Sequence, residues 1–342
     1  MKQKIIVTGG CGYIGSHTVI ELMTNNYEVV IADDLSNSSL KILDRIEKIT
    51  GTKPSFTHLD LKSVTATQDF FKLHNDAAAV IHFAAHKAVA ESIQNPLMYY
   101  NNNFVSLINT LMSMQEFEIP NFIFSSSATV YGNPSIMPIS EQTPTQRPFS
   151  PYGNSKKIAE EILEDVCNAS PNFSTILLRY FNPIGAHSSG LIGEFPSGIP
   201  NNLMPYITQT AAGVREKLSV FGADYPTKDG TAVRDYIHVV DLADAHVKAV
   251  SRLLTDSAGA SNIETINLGT GIGYSVLEVI KAFEAVSGKP LNYEITKRRE
   301  GDVAELYAST ALAKKLLNWE AKLGLESMIQ SSWDWEQNLR NE

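Results

Sequence analysis

Cysteine is almost missing from this chain: Cys11 and Cys167 are the two found among 342 residues. Cys11 stands in a glycine-rich turn and Cys167 in an expected helix, so the pattern excludes a disulfide framework and points to a reducing, cytoplasmic compartment. A surplus of positive charge is missing too. Lys and Arg total 28 against 37 Asp and Glu, for a net charge of −9, which excludes a broad polyanion-binding surface and with it a nucleic-acid partner. A local basic site for a small phosphate stays open. No apolar run is long enough to make a membrane-spanning helix, and the one at 5–7 is too short for the core of a signal peptide. There is no internal repeat or low-complexity tract, and no metal site is expected. With 43% apolar and 19% charged residues, the composition is that of an ordinary soluble globular protein. At this length two lobes are expected rather than one core.

Strand-like and helical runs alternate from the first residues. Strands are expected at 4–8, 28–32, 55–59, 78–83, 121–125 and 174–179, with helical patterns between them, the longest over 96–118. Such alternation predicts an α/β fold, a parallel sheet wrapped by helices on both faces.

The first turn carries the first chemical signal. Gly9, Gly12 and Gly15 are spaced G-x-x-G-x-x-G between a strand and a helix. Glycines there permit a tight turn and let the backbone approach a pyrophosphate, which then rests on the helix N-terminus. Asp33 ends the second strand. A carboxylate at that point hydrogen-bonds a ribose 2′-hydroxyl and repels a 2′-phosphate, favouring NAD over NADP. Asp60 ends the third strand and has two readings, a contact to an adenine amino group or a helix cap. Phe83-Ala84-Ala85-His86-Lys87 closes the fourth. Small residues at the carboxyl end of a strand leave room for a ligand in the sheet crevice, and Lys87 is either a phosphate or ribose contact or a solvated lysine. The fifth strand runs into Ser126-Ser127-Ala128-Thr129, hydroxyls that either reach a reacting oxygen or cap the following loop.

The stretch that organises the rest is Ser150-Pro151-Tyr152-Gly153-Asn154-Ser155-Lys156. Ser150 is suited to cap a helix and Pro151 to open it. Tyr152 and Lys156 then share one helical face four residues apart. A cation beside a phenol favours the phenolate, so Tyr152 is expected to ionise below its usual pKa of about 10 and to serve as an acid/base. The spacing alone is weak evidence, since Tyr293 and Lys297 repeat it in an expected strand.

Taken in order, these pieces resemble the extended short-chain dehydrogenase/reductase family, and within it the nucleotide-sugar 4-epimerases. The strongest segments are 7–17, 124–132, 150–156, 178–183, 198–206 and 298–302, and the likeness covers essentially the whole chain. It implies a Rossmann-type doubly wound parallel sheet with a smaller substrate lobe: an NAD-binding domain over 1–180, with segments returning near 236–270, and a UDP-sugar-binding domain over 181–342. It implies tightly bound NAD, and reversible C4 epimerisation of UDP-glucose and UDP-galactose through a transient 4-keto sugar. Tyr152 would be the acid/base, Ser127 its partner at the sugar O4, and Lys156 a ligand of the nicotinamide ribose that lowers the tyrosine pKa. Gly9, Gly12 and Gly15 would hold the pyrophosphate and Asp33 the adenosine ribose. Tyr13, Ile14, Asp60, Phe83, Ala84, Lys87, Asn102 and Tyr180 match further cofactor positions. Ala128 and Thr129 follow Ser127 where related 4,6-dehydratases carry an Asp-Glu pair, which counts against water elimination. The likeness also implies a homodimer.

After Phe181 the alternation gives way to a Gly-, Pro-, Ser- and Asn-rich segment, read as the start of the substrate lobe; a late strand at 266–269 is expected to return to the main sheet. Arg234 and Arg299 are each suited to grip phosphate oxygens in a fork geometry, Asp302 to accept from a uridine ribose hydroxyl, and Phe221 to pack on uracil. In the epimerase pattern Asn182, Asn202 and Leu203 join them as UDP-sugar contacts. Leu306 takes the position lining the pocket near the sugar 2-substituent, where relatives carry either tyrosine or a small residue. Leucine fits neither pattern, so an epimerase of UDP-N-acetylhexosamines is the alternative. A non-catalytic NAD-sensing regulator would need none of Tyr152, Lys156 and Ser127.

Overall fold

The computed structural model describes residues 2–196, 198–255, 262–299 and 301–341. Two compact units divide the chain. The first takes residues 1–132, 145–179 and 243–266; the second takes 133–144, 180–242 and 267–342.

The first unit alternates strand and helix. In chain order come β1 (Lys4–Thr8), α1 (Tyr13–Thr24), β2 (Glu28–Asp33), α2 (Lys41–Thr50), β3 (Ser55–His58), α3 (Val64–Leu73), β4 (Ala79–His82), α4 (Val89–Gln94), α5 (Pro96–Glu116), β5 (Asn121–Ser127), a 3₁₀ turn (Ala128–Tyr131), α6 (Pro151–Ala169) and β6 (Ser174–Tyr180). The strand cores are apolar on both faces, as in Ile5-Ile6-Val7 and Val80-Ile81, all fully buried. This is what a parallel sheet covered by helices on both sides requires. A buried cluster that includes Ile6, Val30, Val80, Phe122, Leu107, Leu111 and Leu163 joins the sheet to its helices.

The sheet order is β10-β6-β5-β4-β1-β2-β3, where β10 is Ile263–Leu268. The late strand therefore joins the main sheet, as its sequence suggested. Successive strands run outward from β1 through β2 to β3 one way and from β4 through β5 the other, all in parallel pairs. The order reverses between β1 and β4. In open α/β sheets ligands bind in the crevice at that switch point, beyond the carboxyl ends of the strands.

The helix starts follow local chemistry. The Ser150 hydroxyl accepts from Gly153 N at 3.1 Å and Pro151 holds the first position of α6, as expected. Ser63, and not Asp60, caps α3 by accepting from Ala66 N at 3.4 Å. The cap reading of Asp60 is corrected by this: its carboxylate instead accepts from Lys62 N in a tight turn. Gly12 stands at the N-cap of α1 with no side chain capping the helix.

The second unit holds β7 (Asn182–Ile184), α7 (Leu203–Ala211), β8 (Leu218–Phe221), β9 (Val233–His238), the start of α8 (Val239–Thr255), β11 (Gly273–Ser275), α9 (Val276–Ser287), β12 (Tyr293–Thr296), β13 (Glu305–Leu306), α10 (Ala311–Leu317) and α11 (Leu325–Asn341). β9 is its hub. The first half of β9 pairs with β11 and β13, and the second half pairs with β7. β8 and β12 form a separate parallel pair. The core gathers Met204, Ile207, Val220, Tyr236, Val279, Phe283, Met328 and Trp333. Ser275 and Glu278 form a reciprocal capping box at the start of α9.

Among the described residues no helix is long and apolar enough to cross a membrane, and no group of three or more His, Cys, Asp and Glu is placed to hold a metal ion.

Candidate active site

The glycine turn in the first unit is a close-packed cradle. Gly9 has φ +68, and a methyl group there would lie 2.7 Å from Ala84 N; one at Gly15 would lie 2.3 Å from Gly9 O. The turn thus lies against Phe83 and Ala84 at the end of β4, and only glycine allows that approach. Asp33, buried at the end of β2, accepts from Cys11 N at 2.9 Å, from Leu35 N at 2.9 Å and from the Ser38 hydroxyl at 2.9 Å. Burial raises its pKa and these hydrogen bonds oppose the rise. The acid at the strand end therefore also fastens the glycine turn, a role its position alone did not reveal. Cys11 and Cys167 are both free and buried.

The other cofactor positions fall into two groups and a single residue, Tyr180. Lys87 Nζ lies over the Tyr13 ring, 5.8 Å from its centre, and Ile14 follows Tyr13 in the first turn of α1. Asp60 and Asn102 are joined by Lys62, whose Nζ is 3.0 Å from an Asp60 oxygen and donates to Asn102 Oδ1 at 3.0 Å. Lys62 is a bridging residue that sequence reasoning missed; surface lysine is too common to signal such a role. Tyr180 ends β6 and is buried.

The proposed acid/base group rests on β5 and α6. Ser127 and Tyr152 share a hydrogen bond between side chains. The Thr129 hydroxyl donates to Ser127 Oγ at 3.0 Å, so the Ser127 proton is free to point elsewhere. Lys156 Nζ donates to Ser125 O at 2.7 Å and lies 4.7 Å from the centre of the Phe124 ring. The strand runs past Ser125, where the sequence ended it, to include Ser126 and Ser127, and the capping alternative holds for Ser127, whose Oγ accepts from Thr129 N at 3.3 Å at the start of the 3₁₀ turn. Strand geometry therefore holds the Ser127 hydroxyl.

The electrostatics correct one expectation. Burial pushes the Tyr152 phenol up to about 12, and the hydrogen bond with Ser127 only partly opposes this. Burial pushes the Lys156 ammonium down to about 7 against the pull of Glu160. In the protein alone the tyrosine is therefore harder to ionise than in water, not easier. The reason is that desolvation acts on both groups, and the ammonium spends its strongest hydrogen bond on a backbone carbonyl. His82, deep in β4, accepts or donates with the Thr8 hydroxyl at 2.9 Å and is pushed down to about 3 by burial, with Lys156 adding to the shift, so it is neutral. A small cavity lined by His82, Ala84, Ala85, Asn103, Phe124, Ser155 and Lys156 lies beside these groups.

The second unit brings together four of its expected residues. Arg299 donates to both Asp302 oxygens, at 3.2 and 2.9 Å. Arg234 Nη2 is 3.8 Å from the same carboxylate, and the Arg299 guanidinium lies 5.8 Å from the centre of the exposed Phe221 ring. Leu306 is buried and pairs with Arg234 in the β13–β9 register. Asn182 pairs with Tyr236 on the other half of β9. Asn202, before α7, donates to Glu194 at 2.6 Å, and Leu203 is the first residue of that helix. Asp235, next to Arg234 and fully buried, was not foreseen. It accepts from Thr270 N, Gly271 N and Ala308 N at 2.8 to 3.1 Å and from the Thr270 hydroxyl at 2.7 Å. It thereby ties the strand of Arg234 to the segment just after Leu306.

A family profile described as GDP-mannose 4,6 dehydratase matches residues 6–332. A UDP-glucose 4-epimerase of Bacillus subtilis is 53% identical over 339 residues, covering 99% of this chain and 98% of that protein. The chain belongs to the UDP-glucose 4-epimerase family. The mouse UDP-glucose 4-epimerase is 50% identical over 340 residues, with 98% and 96% covered. The crystal structure of the family member from Bifidobacterium longum, in complex with NAD⁺ and UDP, superposes with a TM-score of 0.94 at 46% identity, covering 99% of both chains. Family membership is thus carried by the full length of both units and not by the glycine turn alone.

Proposed function

We propose that this protein interconverts UDP-glucose and UDP-galactose by inverting C4, with NAD held throughout the cycle. The first unit is the NAD-binding domain and the second the UDP-sugar-binding domain in this reading. The observation that carries it is the alignment of Ser125, Ser126 and Ser127 on β5 with Lys156, Glu160 and Tyr152 on α6, respectively. This puts a tyrosine, a serine and a lysine into one hydrogen-bonded frame.

The residues present fit NAD. A glycine turn with no room for a side chain at Gly9 or Gly15 meets the N-terminus of α1, which no side chain caps, and a helix N-terminus suits a pyrophosphate. Gly9, Gly12 and Gly15 would hold that group, Asp33 the adenosine ribose and Lys156 the nicotinamide ribose. When bound, NAD supplies a reversible hydride acceptor for the sugar C4. The chain's own part is proton handling and grip. Tyr152, as phenolate, takes the proton of the sugar 4-hydroxyl and returns it to the same oxygen once the sugar has turned its other face. Ser127, whose oxygen already accepts from Thr129, spends its own proton on the oxygen that exchanges with Tyr152. Arg234 and Arg299 grip the diphosphate in place of Asp302, which turns to the uridine ribose, and Phe221 covers the base. The hexose is gripped less than the diphosphate, which lets it present either face.

Ala128 and Thr129 after Ser127 offer no acid pair for water elimination, so the dehydratase description of the matched profile is not carried over. A homodimer and a cytoplasmic site complete the proposal. Leu97, Ile108 and Met112 are exposed along α5, 81%, 42% and 54% respectively, an apolar surface that a second copy would cover. The two free buried thiols suit a reducing compartment.

The test is Tyr152→Phe. It should lower kcat about 10²-fold or more with UDP binding little changed. A variant within tenfold of wild type removes Tyr152 from the mechanism.

A further inference from the structure

A buried ion pair stands directly behind the acid/base frame. Glu160 and Arg179 each expose 8% of their side chains. The Arg179 guanidinium donates to the carboxylate twice, from Nε at 2.9 Å and from Nη2 at 2.6 Å. Its third nitrogen, Nη1, donates to Tyr131 Oη at 3.0 Å. Glu160 also accepts from the Ser126 hydroxyl at 2.5 Å. One carboxylate thereby joins α6, β5 and β6, and through Tyr131 the 3₁₀ turn that follows Ser127.

The placement on α6 matters. Glu160 is four residues after Lys156, one turn along the same face, as Lys156 is one turn after Tyr152. The two residues that hold α6 to β5 beside Ser127 are Lys156, through Ser125 O, and Glu160, through Ser126. A buried ion pair is weak evidence for stability, because desolvation offsets most of its attraction. Its position one turn from a buried lysine gives it another use.

We propose that Glu160 is a positioning residue of the reaction: its carboxylate fixes the register of α6 against β5 and supplies the negative charge that keeps Lys156 an ammonium, while Arg179 sets how much of that charge Lys156 feels. This rests on the reading of Tyr152 and Lys156 as the acid/base frame. The groups that face Lys156 leave Glu160 as the source of negative charge. On its own helix they are Tyr152 and Glu160; on β5, the Ser125 carbonyl and the Phe124 ring; on β4, neutral His82; on α5, uncharged Asn103. On β6, Arg179 carries the opposing charge. Burial alone favours a neutral amine, and Glu160 opposes it. A neutral amine would leave a phenolate with no countercharge.

The experiment uses the full chain as purified, with lysine labelled with ¹⁵N. The Lys156 Nζ resonance is followed against pH, and the pH profile of kcat is measured with UDP-galactose. The variants are Glu160→Gln and Arg179→Gln. Glu160→Gln keeps the shape and an acceptor for Ser126 and removes the charge. Its Lys156 midpoint and the matching limb of the kcat profile should fall by about half a pH unit or more, since a nearby opposite charge shifts a pKa by roughly 1–3 units and Arg179 offsets part of that. Arg179→Gln leaves the carboxylate unneutralised, so the same midpoint should rise. Opposite signs from the two halves of one ion pair cannot come from loosened packing, which would lower kcat in both and move both midpoints alike. Either variant decides the matter if the other does not fold. A Glu160→Gln midpoint at the wild-type value, or an Arg179→Gln midpoint that falls, overturns the proposal. Tyr152→Phe is the control: if it stays active, the acid/base reading fails, while the Nζ titration still reports on Glu160.

Discussion

Gly15→Ala isolates the glycine turn. Gly15 lies inside the first turn of α1, where alanine is intrinsically the better helix former by about 1 kcal/mol. On helix propensity alone the variant would be stabilised. The turn reverses this. The added methyl would sit 2.3 Å from Gly9 O and 2.9 Å from Gly10 Cα, where ordinary contact begins near 3.4 Å. Gly9 cannot simply withdraw. Its N–H donates to Ala32 O at 2.8 Å and its carbonyl accepts from Gly12 N at 3.1 Å. The strain therefore moves the turn by about 1 Å, at an overpacking cost of about 1–3 kcal/mol. Set against the helix gain, the net loss is about 0–2 kcal/mol, a fall in Tm of a few degrees for cofactor-stripped protein. Binding suffers more, because a displacement of about 1 Å in a positioned site can cost about 10²-fold. We expect wild type to carry about one NAD per chain after purification, and Gly15→Ala less than a tenth of that, read by mass spectrometry of the denatured supernatant. Gly51→Ala is the control. Gly51 ends α2 at φ +74 with nothing within 4 Å, so alanine there costs about 1 kcal/mol with NAD content unchanged. Full NAD and a wild-type melt in Gly15→Ala would refute the cradle.

Two further outcomes follow from the electrostatics and the pocket. The Lys156 ammonium is pushed down to about 7 from an ordinary value of 10.5, so between those values the unfolded chain binds more protons and stability gains from this group as pH rises. Lys156→Met should therefore raise Tm more at pH 6.5 than at pH 9.5, by thermal melts of cofactor-stripped protein; an equal effect at both would contradict the buried-lysine reading. Leu306→Cys should raise kcat/KM for UDP-N-acetylglucosamine at least about fivefold with little change for UDP-galactose, since one misfitted group in a pocket is worth about 1–3 kcal/mol. An unchanged ratio would mean that Leu306 does not gate the sugar 2-substituent.

What could be read from the chain alone is what short-range physics decides. Hydrophobic runs at 5–7 and 79–81 had to be buried strands. Ser150 and Pro151 had to open a helix, which by its own period set Tyr152 and Lys156 on one face. The glycines ahead of Tyr13 had to turn tightly. Each of these depends on residues within a few positions of one another, so sequence order carries the information. The tertiary structure decided the rest. Lys156 and Tyr152 shift away from their charged forms because β5 and the surrounding core remove water from both, and desolvation is set by residues far away in the chain. Glu160 gains its meaning from Arg179 and Ser126, Asp60 from Lys62 and Asn102, and Asp302 from Arg299 and Arg234. Residues 133–144 pack with the second unit, where Ile139 N donates to Tyr307 O and accepts a return bond at its carbonyl from Ser309 N. A charged residue in isolation reads as solvated surface, because that is its cheapest environment. Only the fold shows which charges it has enclosed, and with which partners.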